Sequence, residues 1–318
     1  SVLFGADQTV TGTFTVPVGA AAGSTRWNVA SDIYGTARTL TCAAVALTDA
    51  DFQYITGAGA ATWSGTRLGD AGGNTNITFP AAKTVYYKAS TAGSWGAANW
   101  ATVSGGATAA ANYPLPQDTA VIDNNSGTGT LTMPVGANFG TVNASARTTA
   151  LTISMIGIGY YFGDYTLSSA ITMTNVFASR FYGFNRTQTI TSAGVTLTQP
   201  LAFFGSGATV SINGTLTTTN SITLTRGTLQ LNGNSMTCTA FASTGSNTRT
   251  LAFGSGSITV TGTASSTGSG GGTGNYAAYQ IATGPSISVP LTGWGAGGWG
   301  SGTWGVGSTS SEIGRAHV

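Results

Sequence analysis

Histidine and glutamate are missing from residues 1–311; the single copy of each, His317 and Glu312, lies beyond them. That stretch therefore cannot hold a Ser-His-Asp triad, a Cys-His pair or a His-ligated metal. Charge of either sign is scarce. Only 6% of residues are charged, against roughly a quarter in ordinary domains. Net charge is +2 and the basic residues are scattered along the chain, so nucleic acid is not an expected partner. Cysteine is limited to Cys42 and Cys238. Each sits inside an alternating run, Leu40-Thr-Cys42 and Met236-Thr-Cys238, which reads as small core residues in different coils, not a disulfide. No apolar run approaches the ~18 residues of a membrane span. No phosphate-binding loop stands out, because with 48 Gly a chance Gly-x-Gly carries no weight, and no cofactor is expected.

What is present is threonine in strict alternation with apolar residues. The phrase occurs as Leu131-Thr-Met133-Pro, Leu151-Thr-Ile153-Ser, Ile171-Thr-Met173-Thr and Val195-Thr-Leu197-Thr, then as Ile222-Thr-Leu224-Thr, Met236-Thr-Cys238-Thr and Ile258-Thr-Val260-Thr. Alternation is the period of a strand with one buried face, and β-branched Thr suits the wet face. The phrase starts recur at 20, 20, 24 and 27 residues. Self-similarity on that scale marks a stacked repeat in which each unit buries its apolar face on the next. The expectation is an all-β chain, a right-handed parallel β-helix with one coil per repeat. The drift in spacing implies loops inserted at some corners. Asn213-Gly214 and Asn232-Gly233 read as tight corners, or alternatively as hairpin turns.

In order along the chain, residues 1–80 read as the end of a first solenoid. Leu47-Thr-Asp-Ala-Asp-Phe-Gln-Tyr-Ile55 followed by Thr56-Gly-Ala-Gly59 resembles a coil of pectate-lyase-like β-helices. Residues 81–118 are a Trp/Pro junction. Trp95, Asn99 and Trp100, then Pro114, Pro116 and Asp118 before an apolar strand, resemble a junction of bacterial surface and phage β-helical proteins. There Trp side chains would cap the open end of a new coil series, and the prolines suit a lead-in segment with no ladder hydrogen bonds. Residues 119–262 read as the main solenoid. Residues 263–311 hold a Ser/Gly/Thr linker over Ser265–Gly274 and a pentapeptide repeat with Trp294, Trp299 and Trp304, which resembles the Trp-Gly repeats of marine-phage virion proteins. Residues 312–318 resemble a translated sequencing adapter and are set aside as an expected artefact. The chain is accordingly expected to be a metagenomic fragment cut at both ends, an expectation that an intact relative carrying the same heptapeptide would sink.

Candidate chemistry is thin. The carboxylates of residues 1–311 are Asp7, Asp32, Asp49, Asp51, Asp70, Asp118, Asp123 and Asp164. Asp49 and Asp51 are two apart and would share a strand face, as an acid pair or a cation site requires, though solvated corner residues are the plainer reading. Aromatics crowd residues 160–184: Tyr160, Tyr161, Tyr165 and Tyr182 could stack on sugar rings with Asp164, Arg180 and Arg186 as polar partners, or could thicken the core or form a subunit contact. Thr172/Thr174, Thr196/Thr198, Thr223/Thr225, Thr237/Thr239 and Thr259/Thr261 resemble the rows of ice-binding solenoids, but their uneven spacing argues against a lattice. The resemblances imply a non-enzymatic virion protein, a phage tail fibre or related appendage, that contacts host surface polysaccharide. Its other partners would be virion proteins or further copies of itself in a homotrimer, and its location the virion or cell surface. A bacterial surface adhesin is the alternative; a polysaccharide depolymerase fragment and an ice-binding solenoid rank lower.

Overall fold

The computed structural model describes residues 1–18, 26–89, 93–205, 207–243, 247, 249–261, 279–282 and 287–288. The linker, the Trp294–Trp299–Trp304 repeat and residues 312–318 lie outside the described residues. The described residues are all-β, apart from single-turn 3-10 helices at Ala97–Asn99 and Ala110–Asn112. Their strands stack in parallel as a β-solenoid, as the alternation predicts. Two compact units divide the chain, Ser1–Asp164 and Tyr165–Val318.

The first unit contains two sets of sheets. Val2–Phe4, Trp27–Ser31, Ala50–Gln53 and Gly69–Asp70 form one parallel stack, and Gln8–Val16, Arg38–Thr48 and Ile55–Gly59 another. Alternate residues turn inward, so Val29, Leu40, Cys42, Leu47, Phe52, Ile55, Trp63 and Leu68 are buried together. After Asp70 the sheets change. Thr84–Tyr87, Thr119–Val121 and Thr141–Asn143 start one new stack. Gly93–Ser94, Thr130–Met133 and Leu151–Met155 form a second, and Asn138–Phe139 with Gly159–Tyr161 a third. The first of these stacks has a lid on its edge: Trp100–Ala101 pairs antiparallel with Thr84–Tyr87, covering donors and acceptors that an open edge would expose.

The second unit keeps three stacks. One runs through Tyr165–Thr166, Thr187–Thr191, Thr209–Ile212, Gly227–Gln230, Arg249–Ala252 and Tyr279–Ala282. Another holds Ser179–Phe181, Leu201–Phe203, Ser221–Leu224 and Ala240–Ala242. The third holds Thr196–Leu197, Leu216–Thr218, Ser235–Cys238, Ser257–Val260 and Ile287–Ser288. In-register ladders place like over like: Val210, Leu229 and Leu251 form one buried row, and Leu216, Met236 and Ile258 another.

The repeat phrase is not confined to one face. The copy at Ile222 belongs to the stack of Leu201–Phe203, whereas those at Val195, Met236 and Ile258 belong to the stack of Leu216–Thr218. Uneven spacing therefore records a change of face as well as the expected variation in coil length: along one stack Tyr165↔Ile190, Thr187↔Thr209, Thr209↔Thr228 and Thr228↔Thr250 pair at 25, 22, 19 and 22 residues. At Asn232-Gly233 the chain turns a corner between two parallel strands, with φ of 53° and 80°, so no hairpin forms there. Gly and Asn hold that left-handed conformation at least cost. Among the described residues no helix is long and apolar enough to cross a membrane.

Candidate functional site

Asp49 and Asp51 do converge, but on arginines. Arg26 donates from Nε and Nη2 to Asp51 Oδ1 at 2.8 and 2.6 Å, and its Nη1 lies 3.6 Å from Asp49 Oδ1. Arg67 forks onto Asp49 at 2.6 and 2.7 Å. Asn138, from the second set of sheets, donates to Asp51 Oδ2 at 3.0 Å. Burial by itself pulls the Arg26 guanidinium down, but the attraction of Asp51 and Asp49 outweighs it and the net direction is up. Both carboxylates are buried. They therefore do not form the solvent-facing acid pair or the cation site that their spacing suggests: two guanidinium groups already hold the place of the cation. The cluster joins the two coil series of the first unit.

The junction residues pack as a lid. Trp95 and Trp100 meet edge to face at 4.6 Å, Tyr87 meets Trp100 at 5.3 Å, and Trp95 leans on Phe139 at 5.0 Å. Asn99 Nδ2 donates to the Ser94 carbonyl at 2.8 Å. Pro116 is buried. Asp118 is fully enclosed: it accepts from the Lys83 and Leu115 backbone at 2.9 and 2.8 Å and from Lys83 Nζ at 2.5 Å. Its carboxylate organises a turn and faces no cleft.

The aromatic candidates separate by face. Tyr161 and Tyr165 are 0% and 1% exposed. Tyr161 Oη lies 3.3 Å from Met155 Sδ, and Tyr165 Oη 3.6 Å from Met173 Sδ. These two rings are core, and no sugar reaches them. Alternation is the reason: within Gly159–Tyr161 the outward position belongs to Tyr160, which is half-buried. Tyr182 is also half-buried, and it stacks on Phe204 with centroids 4.9 Å apart and planes within 3°. Arg180 lies over the other ring, its Cζ 5.5 Å from the Phe204 centroid. Arg186 is exposed at the following corner.

Phe204 is the residue that sequence reasoning missed. It follows buried Phe203, and only the coil register shows that the second ring of the pair turns outward. Arg226, one coil further on, was missed for the same reason; its Nη2 donates to Asn247 Oδ1 at 2.8 Å.

The threonine rows also differ from the expected set. Thr223 and Thr225 leave the row, and Thr217 enters it. Thr196, Thr217, Thr237 and Thr259 stand in register at 21, 20 and 22 residues, a more even column than the phrase spacing suggests. The adjoining column loses this register, because Thr219 N donates to Leu197 O whereas Thr239 N donates to Asn220 O, two residues beyond the equivalent acceptor. In that column Thr198 and Thr261 also turn their hydroxyls back onto the carbonyls of Met173 and Cys238. No family model matches the chain, and no curated protein or solved structure matches it.

Proposed function

We propose that this chain is a non-enzymatic structural and adhesive segment of a virion appendage, a phage tail fibre or a relative of one, that contacts host surface glycans. The observation that carries the adhesive part is the half-exposed Tyr182–Phe204 stack beneath Arg180. Flat aromatic surface beside a fixed guanidinium suits a sugar, whose C–H face stacks while its polar edge takes hydrogen bonds. The virion assignment leans on the resemblance of the Trp95–Asp118 junction and the Trp-Gly repeat. A bacterial adhesin uses the same physics and is the second reading. Assembly with virion proteins, or as a homotrimer, belongs to the same proposal.

The passive role is supported by how the carboxylates are spent. Asp32, Asp49, Asp51 and Asp118 are all engaged with basic side chains. A depolymerase would need two acids presented to substrate. An ice-binding face needs two columns in step, and here only one keeps register; thermal hysteresis measured on the full chain is expected to be nil. The adhesive reading is tested by sedimenting the full chain with bacterial surface polysaccharide while assaying new reducing ends. Binding without cleavage, lost in Phe204→Ala, is expected. Release of reducing ends, or binding that ignores Phe204→Ala, would overturn it.

A further inference from the structure

We propose that the same corner selects an acidic polysaccharide, one with carboxylates on its sugars. The inference rests on the glycan reading and narrows it to one charge class. Charge is distributed unequally along the chain. Residues 1–164 carry eight Asp against Arg26, Arg38, Arg67, Lys83, Lys88 and Arg147. Residues 165–311 carry Arg180, Arg186, Arg226 and Arg249, and no Asp, Glu, Lys or His. A basic surface without acids of its own attracts anions and raises their local concentration.

Register gathers those arginines. Phe181, Phe203 and Leu224 stack in one row, so Tyr182, Phe204 and Thr225 each begin the same corner in successive coils. Thr187, Thr209 and Thr228 stack where that corner ends, with Arg186 and Arg226 just before it. Arg249 begins its strand in the next coil, paired with Gly227, and adds charge from behind the surface, being 2% exposed. Scattered in sequence, Arg186 and Arg226 share one corner of the solenoid, with Arg180 on a strand that enters it and Arg249 at the start of a strand that leaves it.

The surface beside it is a lane. Arg180, Ala202, Thr223 and Ala242 lie in or next to one outward row across four strands. Beyond Arg180 that row carries only small side chains, and the Tyr182–Phe204 stack stands along its side. Coils repeat every ~4.8 Å, close to the rise of one sugar in an extended glycan. A uronate lying there would put its C–H face on the rings and its carboxylate toward Arg180 or Arg226, whose planar forks match carboxylate geometry.

Binding of the full chain to polygalacturonate and to its fully methyl-esterified form tests this, because the two share a backbone and differ in charge. The acid form is expected to bind at least tenfold more tightly and to weaken with salt. Arg180→Gln and Arg226→Gln are each expected to weaken the acid form several-fold, with the melting temperature unchanged, and Arg226→Lys to restore part of the loss. Equal binding of the two forms, or indifference to both glutamine variants, would overturn the charge preference and leave the glycan reading standing. Binding of neither form would overturn the acidic-polysaccharide proposal, while sedimentation with bacterial surface polysaccharide decides the glycan reading separately. Duplex DNA bound as tightly as polygalacturonate would overturn the proposal in favour of a general polyanion surface.

Discussion

At the residue scale the chain puts its few charges to structural use first. Arg26 and Asp51 are taken out of water together, and such a pair tolerates loss of one partner badly. Asp51→Ala leaves the buried Arg26 guanidinium with only Asp49, 3.6 Å away and shared with Arg67, and orphans the Asn138 donor. A loss of about 3 kcal/mol is expected in denaturant unfolding, whereas Asp7→Ala at the exposed surface should change little. Cys238 offers a second test. Burial pushes its thiol up from 9.0 to about 12, Cys42 is raised by burial too, and so is the Tyr113 hydroxyl. Below the ordinary thiol value both folded and unfolded chains hold the neutral form, and the contribution to stability is complete. As pH rises from about 9 toward about 12 the unfolded chain ionises first, so stability falls across that window. Denaturation midpoints measured through it should drop, and by less in Cys238→Ala.

Which aromatics face water was only half legible at this scale. Alternation implies that one of Tyr160 and Tyr161 is core, but it does not say which without the register. The carboxylates misled for a related reason: a two-residue spacing shows that Asp49 and Asp51 can meet, not what they meet.

At the scale of the element, the coil is the unit of stability. Each inward side chain is packed by its equivalents above and below, so damage to one rung loosens two interfaces. Leu229 is fully buried between Val210 and Leu251. Leu229→Ala should cost about 2–5 kcal/mol, read as a lower denaturation midpoint, and should raise amide exchange in residues 209–212 and 249–252 before it does so in Trp27–Ser31. The strands themselves were legible from Thr-apolar alternation, because period and residue type agree. Their assignment to faces was not. The same phrase serves two stacks in the second unit, and only the corners, such as Asn232-Gly233, decide which stack comes next.

At the scale of the whole molecule, the sequence shows a solenoid with little charge, while the fold shows where that charge collects. Residues without acids occupy one stretch, and coiling brings their arginines to one corner and the strands that flank it, beside Tyr182 and Phe204. That corner was invisible to a reading of spacing because its members lie about one coil apart, at 180, 204 and 226, where no local motif joins them.

Hydrogen–deuterium exchange on the full chain, with and without polygalacturonate, tests the central claim most directly. New protection is predicted in residues 180–182, 202–204 and 223–228, and it should vanish in Phe204→Ala. Protection confined to the Thr196–Thr217–Thr237–Thr259 face, or no change at the aromatic corner in the presence of bound glycan, would contradict the account.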